Sequence, residues 1–323
     1  MKYTHLGRSG LQVSRLCLGT MNFGPHTSEA DSHQIMDAAL DAGINFFDTA
    51  NVYGWRIGEG VTEKIIGSWI EKGGGRRDKI VLATKVYGKM GEGVNDKGLS
   101  AYHIRKACED SLKRLKTDHI DLYQMHHIDR NTPWEEIWQA METLVQQGKI
   151  IYVGSSNFAA MNIVQAQHEA AARSFLGLVS EQSLYNLTKR EIELEVVPAC
   201  EEYGLGIIPW SPLASGLLSG KRSRDSAARS TEQGTLERRE KLKTNIEAYE
   251  RFCEELSADP AVVALGWLLK RPAVAAPIIG PRTMRQLESA LSALTLDLDD
   301  VAMKKLDEIW PGPGGAAPEA YAW

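Results

Sequence analysis

The sequence predicts an α/β protein folded as a (β/α)8 barrel with an N-terminal β-hairpin, and three observations carry that expectation. Short apolar runs alternate eight times with longer amphipathic stretches along the 323 residues. The runs are rich in β-branched residues and apolar at successive positions, as strands covered on both faces are. The turn after the first run, GTMNFG at 19–24, lacks the GxGxxG spacing that an open doubly wound sheet would place there. Strands alternating with helices make parallel βαβ units, and eight such units close a barrel.

Taken in order, KYTHLGRSGLQV reads as a hairpin turning at Arg8-Ser9-Gly10 and capping the barrel bottom. The barrel strands follow as VSRLCLGT (13–20), INFFDTA (44–50), IVLATKV (80–86), IDLYQMH (120–126), IIYVGSSN (150–157), LGLVSEQ (176–182), GIIPWSPL (206–213) and AVAAPIIG (273–280). Helix starts are marked by Thr132 as N-cap before Pro133, with Glu135 completing a capping box. Ser100 before AYHIRKACEDSLKRL and Thr283 with Gln286 repeat the signal. Gly43, Gly148 and Gly204 stop helices.

Three segments fall outside this plan: a Gly-rich loop at 88–98, a charged stretch at 220–236 and a Pro/Gly tail at 311–323. The first two follow strand C-termini, where barrel enzymes carry their working loops. A solvated linker is the alternative for the charged stretch. Residues 1–323 are read as one barrel domain ending in that tail.

Composition narrows the function classes. Apolar residues make up 43%, enough to offset the entropy of ordering a chain, so disorder is excluded. Lys and Arg number 37 against 42 Asp and Glu, and the resulting −5 is the wrong sign for a nucleic-acid binder. No stretch approaches the roughly 18 apolar residues of a membrane span. The opening MKYTHLGRSG lacks the apolar core of a signal peptide. Cys17, Cys108, Cys200 and Cys253 are scattered without CxxC or Cys/His spacing, which argues against a disulfide framework or a metal site. The expectation is a cytoplasmic protein with neither nucleic-acid nor membrane partners.

Four residues carry the chemistry. Asp48 ends the second strand run and Tyr53 follows it in FDTANVYG, Lys85 ends the third, and His126 ends the fourth. Alone, each has a plainer reading: an Asp as a turn residue, a Lys as a solvated charge, a His as a structural group. Together they stand at or just past the C-terminal ends of three successive strands, where side chains converge on the barrel mouth. Lys85 follows four uncharged residues, so its ammonium needs a partner, and Asp48 on the adjacent strand is the natural one.

A phenol titrates near pH 10, too weak an acid to protonate a carbonyl efficiently at neutral pH. Lowering that value by about two units takes on the order of 2.7 kcal/mol. A cation at about 4 Å in an effective dielectric near 20 supplies that magnitude. Tyr53 then serves as proton donor, Lys85 as its tuner and Asp48 as the anchor of Lys85. A His at the fourth strand end would hydrogen-bond the substrate oxygen. His126 and His127 both satisfy that chemistry.

The chain resembles the aldo-keto reductase superfamily over essentially its whole length, from LGRSGLQVSRLCLGTMNFG to IIGPRTMRQLE. GINFFDTANVYG, VLATKV, IDLYQMH, GSSNF, SEQSLYN and IPWSPLASGLLSGK are its most specific stretches. The resemblance implies an Asp-Tyr-Lys-His tetrad on Asp48, Tyr53, Lys85 and His126, reducing carbonyls with hydride from NADPH held across the barrel mouth. It selects His126 over His127.

Cofactor positions follow from the resemblance one by one. Gly19, Thr20 and Met21 end the first barrel strand beside the nicotinamide ribose, with Asp48 nearby. A plain strand-end turn is the alternative for Gly19. Ser156, Asn157 and Gln182 match the residues that hydrogen-bond the carboxamide, and Trp210 the aromatic that stacks on the nicotinamide. A satisfied core amide and ordinary core packing are the alternatives for Gln182 and Trp210. Ser211, Leu213, Gly216 and Leu217 correspond to the loop under the pyrophosphate, with Lys221 reaching a phosphate. Gly280, Arg282 and Gln286 match the adenosine-phosphate end, where the helix opening at Thr283 presents free N–H groups. A guanidinium fork at Arg282 suits a 2′-phosphate and favours NADPH over NADH. The family usually has an acidic residue or Gln followed by Asn where Ser289 and Ala290 stand, a departure that weakens the adenine contact.

The expected reaction is ordered capture of NADPH followed by reduction of a small-molecule aldehyde or ketone. Trp55, the 88–98 loop and the Tyr321–Trp323 end are candidates for the substrate pocket, with surface or packing roles as the alternative. The tail also resembles that of reductases acting on keto-sugar intermediates. A second reading is an NADPH-binding regulatory subunit similar to potassium-channel β subunits, which carry Asn at the position of His126. A barrel metal hydrolase is disfavoured, because only Asp48 and the His126-His127 pair could serve as ligands.

Overall fold

The computed structural model describes residues 1–54, 58–220 and 233–318. Strands β1 (Tyr3–His5) and β2 (Gln12–Ser14) pair antiparallel, with Tyr3 opposite Ser14 and His5 opposite Gln12. The turn closes where Leu6 N donates to Leu11 O at 2.8 Å. Gly7 adopts φ +57°, and a Cβ there would lie 2.4 Å from Val179 O and 2.5 Å from Gly204 O. The hairpin is therefore pressed against the lower rim of the barrel. Leu6 plugs its floor, packed with Val13, Cys17, Phe46, Val81, Leu122, Val179 and Ile208.

Eight parallel strands form the barrel wall. They are β3 (Cys17–Gly19), β4 (Phe46–Asp48), β5 (Val81–Val86), β6 (Ile120–Met125), β7 (Ile150–Ser156), β8 (Leu178–Gln182), β9 (Gly206–Ile207) and β10 (Ile278–Ile279). They pair in chain order, and β10 returns to lie beside β3. Closure between the ends runs through 207–209: Ile207 N donates to Ala273 O at 2.8 Å, and Ile278 N to Pro209 O at 2.9 Å. Each run read as a barrel strand contains one of these eight. Their inward positions alternate with outward ones that meet the helices.

The helices are α1 (Glu29–Asp41), α2 (Val61–Glu71), α3 (Ala101–Leu115), α4 (Trp134–Gln146), α5 (Ala160–Ala172), α6 (Val196–Tyr203), α7 (Gln233–Lys241), α8 (Lys243–Glu255), α9 (Pro260–Leu269), α10 (Met284–Ser292) and α11 (Asp300–Ile309). No helix among the described residues is long and apolar enough to cross a membrane. Ser100 caps α3 by accepting from His103 N at 3.2 Å. Thr283 caps α10, while Gln286 Oε1 accepts from Arg282 N, one residue before the amide a capping box would use.

The box expected at Thr132 does not form. Its hydroxyl donates to Asp129 Oδ2 at 3.1 Å, and Pro133, at φ −67° and ψ 148°, takes the N-cap position of α4. Asp129 also binds Leu99 N, so its carboxylate outcompetes the helix end for the hydroxyl. Gly43, Gly148 and Gly204 stand just past α1, α4 and α6 at φ +86°, +70° and +67°, the left-handed stop the sequence indicated. The charged stretch is not loop throughout, because α7 begins at Gln233. Its portion at 221–232 lies outside the described residues.

Candidate active site

The upper layer of the barrel interior is polar. Asp48, Lys85, Gln124 and Gln182 come from β4, β5, β6 and β8, and each is buried. Hydrogen bonds join them, since Asp48 accepts from Lys85, Gln124 and Gln182. Below them the inward positions are mostly apolar, with buried Ser180 among them.

Tyr53 reaches this layer from the turn after β4. Its N–H donates to Ala50 O at 3.2 Å, and its own carbonyl accepts from Thr62 N at 3.4 Å at the start of α2. Gly54 holds φ +112° in the same turn, where a Cβ would lie 2.5 Å from Val61 Cβ. The turn is thus clamped to α2 and aims the phenol inward.

Lys85, fully buried at 0% exposure, donates to Asp48 Oδ2 at 2.6 Å, Thr49 O at 2.9 Å and Tyr53 Oη at 3.2 Å. Burial acts against this ammonium, but the Asp48 charge and the Tyr53 oxygen outweigh it and raise its pKa. For Tyr53 the balance falls the other way. Burial pushes the phenol up, Lys85 pulls it down, and Asp48 adds to the rise, so the net value lies above the ordinary phenol range. The expectation that Lys85 brings this phenol below its usual value is therefore corrected. Burial of the phenol is the main reason, and the Asp48 carboxylate, 2.6 Å from the same ammonium, adds to it.

His126 lies beside the phenol, with ring centroids 5.9 Å apart and planes at 78°. Burial, with Lys85 and His127 adding to it, pushes its pKa down to about 2. It is a neutral imidazole, able to hydrogen-bond an oxygen without carrying charge. His127 stacks on it at 5.2 Å with planes 7° apart and is exposed.

The other predicted positions surround this cluster. Gly19 ends β3, but the space its side chain would need is held by Ile278 Cγ2, 2.3 Å from an ideal Cβ. Packing against β10 therefore requires the glycine regardless of any ligand. Thr20 is buried and donates to Asp48 O at 2.8 Å, while Met21 is half-buried beside it. Ser156 Oγ donates to Gln182 O at 2.9 Å. Asn157, at φ +59°, donates to Ser156 Oγ at 2.9 Å and accepts from Trp210 Nε1 at 3.0 Å. Its Nδ2 also reaches His126 O at 3.3 Å, so one amide joins β6, β7 and the segment after β9.

Ser211, Ala214, Ser215 and Gly216 all have positive φ, from +51° to +89°. The run closes on itself, with Ala214 N donating to Ser211 O at 2.9 Å, Ser215 N to Ser211 Oγ at 3.3 Å and Gly216 N to Leu213 O at 2.9 Å. Leu213 lies inside the run and Leu217 is buried just after it. Gly280 O accepts from Asn22 Nδ2 at 2.8 Å, and Arg282 stands before α10 with its N–H held by Gln286 at 2.8 Å. Ala290 packs into the core and Ser289 is half-buried beside it. Lys221, Trp55 and Tyr321–Trp323 lie outside the described residues. The 88–98 loop is organised on Asp96, which accepts from Gly93 N at 3.0 Å and Lys106 Nζ at 3.2 Å.

A dinucleotide fits this set. The bonds of the Gln182 amide use its nitrogen and leave Oε1 to accept, and Arg282 adds a cation at a helix start. Three residues escaped the sequence reading. Gln124 and Asn22 each hold one of these groups, and Glu181, buried on β8, accepts from Ser183 Oγ at 2.7 Å and Phe158 N at 3.2 Å. Gln124 was visible as a polar residue at an inward position of IDLYQMH, level with Lys85.

The family model described as "Aldo/keto reductase family" matches residues 15–311. The oxidoreductase YrpG of Bacillus subtilis is 55% identical over 327 residues, covering 100% of both chains. A probable voltage-gated potassium channel subunit beta of Oryza sativa is 36% identical over 91% of each chain. An aldo-keto reductase of Fusarium vanettenii is 34% identical over 95% of this chain and 90% of its own.

Proposed function

The chain belongs to the aldo/keto reductase family of oxidoreductases, and from that premise we propose that it reduces aldehyde or ketone carbonyls to alcohols with NADPH, Tyr53 acting as general acid. The observation that carries the reading is the buried chain Asp48–Lys85–Tyr53, with contacts of 2.6 and 3.2 Å. Reduced nicotinamide supplies a hydride to the carbonyl carbon when it is bound.

Each remaining task falls to this chain's residues. Tyr53 holds its proton at neutral pH, as a phenol at or above its ordinary pKa does, and that is the form a proton donor needs. As the proton moves to the substrate oxygen, the Lys85 ammonium meets the emerging phenolate, a preorganised charge in a site screened from water. Asp48 keeps Lys85 charged and in place. Neutral His126 hydrogen-bonds the same substrate oxygen and fixes its approach. Gln182, Ser156 and Asn157 hold the carboxamide end, Trp210 flanks the ring, the 211–217 loop and Lys221 cradle phosphates, and Arg282 with Gln286 takes the adenosine 2′-phosphate. A reducing cytosol is the compartment proposed.

Likeness to a channel β subunit supports a second reading, a dinucleotide-binding regulatory protein. His126 beside Tyr53 favours turnover. The test is NADPH oxidation followed at 340 nm against a panel of aromatic aldehydes, methylglyoxal and keto-sugars. Consumption dependent on a carbonyl supports the reductase, and NADPH bound without oxidation by any member supports the regulatory reading.

A further inference from the structure

Gln124 sits fully buried in the polar layer, with its amide bonded to Asp48 and Gln182. Its place is enforced by its neighbours. In register it stands between Lys85 and Gly154. A Cβ at Gly154 would lie 2.6 Å from Ser180 Oγ and 3.2 Å from Gln124 Cγ, so the missing side chain gives Gln124 its room. The β7–β8 ladder also shifts register between Val153 and Gly154.

The Asp48 carboxylate accepts only. Its Oδ1 takes Nε2 of Gln124 and Nε2 of Gln182, each at 2.9 Å, and Gln182 Nε2 also donates to Gln124 Oε1 at 3.2 Å. If the Gln124 amide were turned over, its oxygen would face Asp48 and its NH2 would face the NH2 of Gln182. If Gln182 were turned over, its oxygen would face two acceptors. Both reversals leave buried polar groups opposed and unpaired, a cost no neighbour offsets. Polarity therefore runs outward from the carboxylate, and Gln182 is left presenting an acceptor.

We propose that Gln124 and Asp48 act together as positioning residues that fix the amide polarity of Gln182, so that Gln182 receives a hydrogen-bond donor, the carboxamide NH2 of a nicotinamide. The inference rests on the cofactor reading given above. It makes the carboxylate that anchors Lys85 also set which way round the cofactor's amide binds.

The test is calorimetric binding of NADP+ and of its 3-acetylpyridine analogue, in which a methyl group replaces the carboxamide NH2, to the full chain. The native protein should favour NADP+ by about tenfold, the effect of one hydrogen bond to a buried acceptor. Gln124→Met keeps length and volume without the amide but leaves the Asp48 bond to Gln182 in place, so alone it should reduce that preference only in part. Combined with Asp48→Asn, whose oxygen is claimed by Lys85 and whose NH2 then faces Gln182, it should cut the preference to within about threefold by turning Gln182 over. Gln182→Ala should lose the preference as well, with no further change when it is added to that double variant. Where Gln124→Met lacks a cooperative melt, Gln124→Leu carries the same comparison. A folded double variant that keeps the full preference overturns the inference alone, as does a native protein that binds both dinucleotides equally. A native protein that binds neither overturns the cofactor reading and the inference with it.

Discussion

The Lys85 ammonium stands 3.2 Å from the Tyr53 hydroxyl and 4.9 Å from the centre of its ring, so it contacts the phenol at the oxygen. Removing that oxygen separates chemistry from binding. Tyr53→Phe should lower kcat by about 10²–10⁴-fold, the usual contribution of a positioned proton donor. Fluorescence titration should find NADPH affinity nearly unchanged, and a parallel loss of affinity would count against the assignment.

Asp48 and Lys85 form a buried ion pair, 3% and 0% exposed. Removing one partner leaves an uncompensated charge, so Lys85→Met should cost about 3–5 kcal/mol of stability. Adding Asp48→Asn should restore much of that in a denaturant melt, without restoring turnover. If stability and activity recovered together, the pair would not be serving Tyr53.

His126 is held neutral, its pKa pushed down to about 2, while Tyr53 and Lys85 are both raised. The pH profile of kcat/KM should therefore show no limb near 6.5. It should fall only under alkaline conditions, as Tyr53 loses its proton above the ordinary phenol range. NMR titration of the His126 ring should find no midpoint between pH 5 and 8. A midpoint there would mean that the imidazole works as a cation.

Arg282→Ala should erode the preference for NADPH over NADH by at least about tenfold, the scale of a charge-assisted bond to phosphate. The ratio of kcat/KM values for the two cofactors measures it. An unchanged ratio would place the 2′-phosphate elsewhere.

Glu181 gives a stability signature. Burial raises its pKa to about 7, against an ordinary 4.5. The folded chain then binds more protons than the unfolded chain between those values, so stability falls as pH rises through that window. The full difference is on the order of 3 kcal/mol. Glu181→Gln should flatten the dependence of Tm on pH from 5 to 8, and an equal slope in both proteins would show that Glu181 is not its source.

The barrel was legible because each strand is a short apolar run between capped helices, a pattern local to the sequence. Asp48, Lys85 and His126 were legible only as a set, because each alone has a plainer use and it is their common place at successive strand ends that brings them together. What local pattern left out was interaction across strands. Gln124 reads as one polar residue in IDLYQMH until the register sets it beside Lys85 and Asp48. Thr132 fits a capping box until Asp129 claims its hydroxyl. The sign of the Tyr53 shift depended first on the burial of the phenol and then on the Asp48 carboxylate beside Lys85, neither of which spacing along a chain contains.

Leu6 stoppers the foot of the barrel, and Gly7 lets the hairpin seat flush against Val179 and Gly204. Among the described residues the base of the vessel is thereby stoppered, and the buried polar layer above it is walled off from the hairpin side.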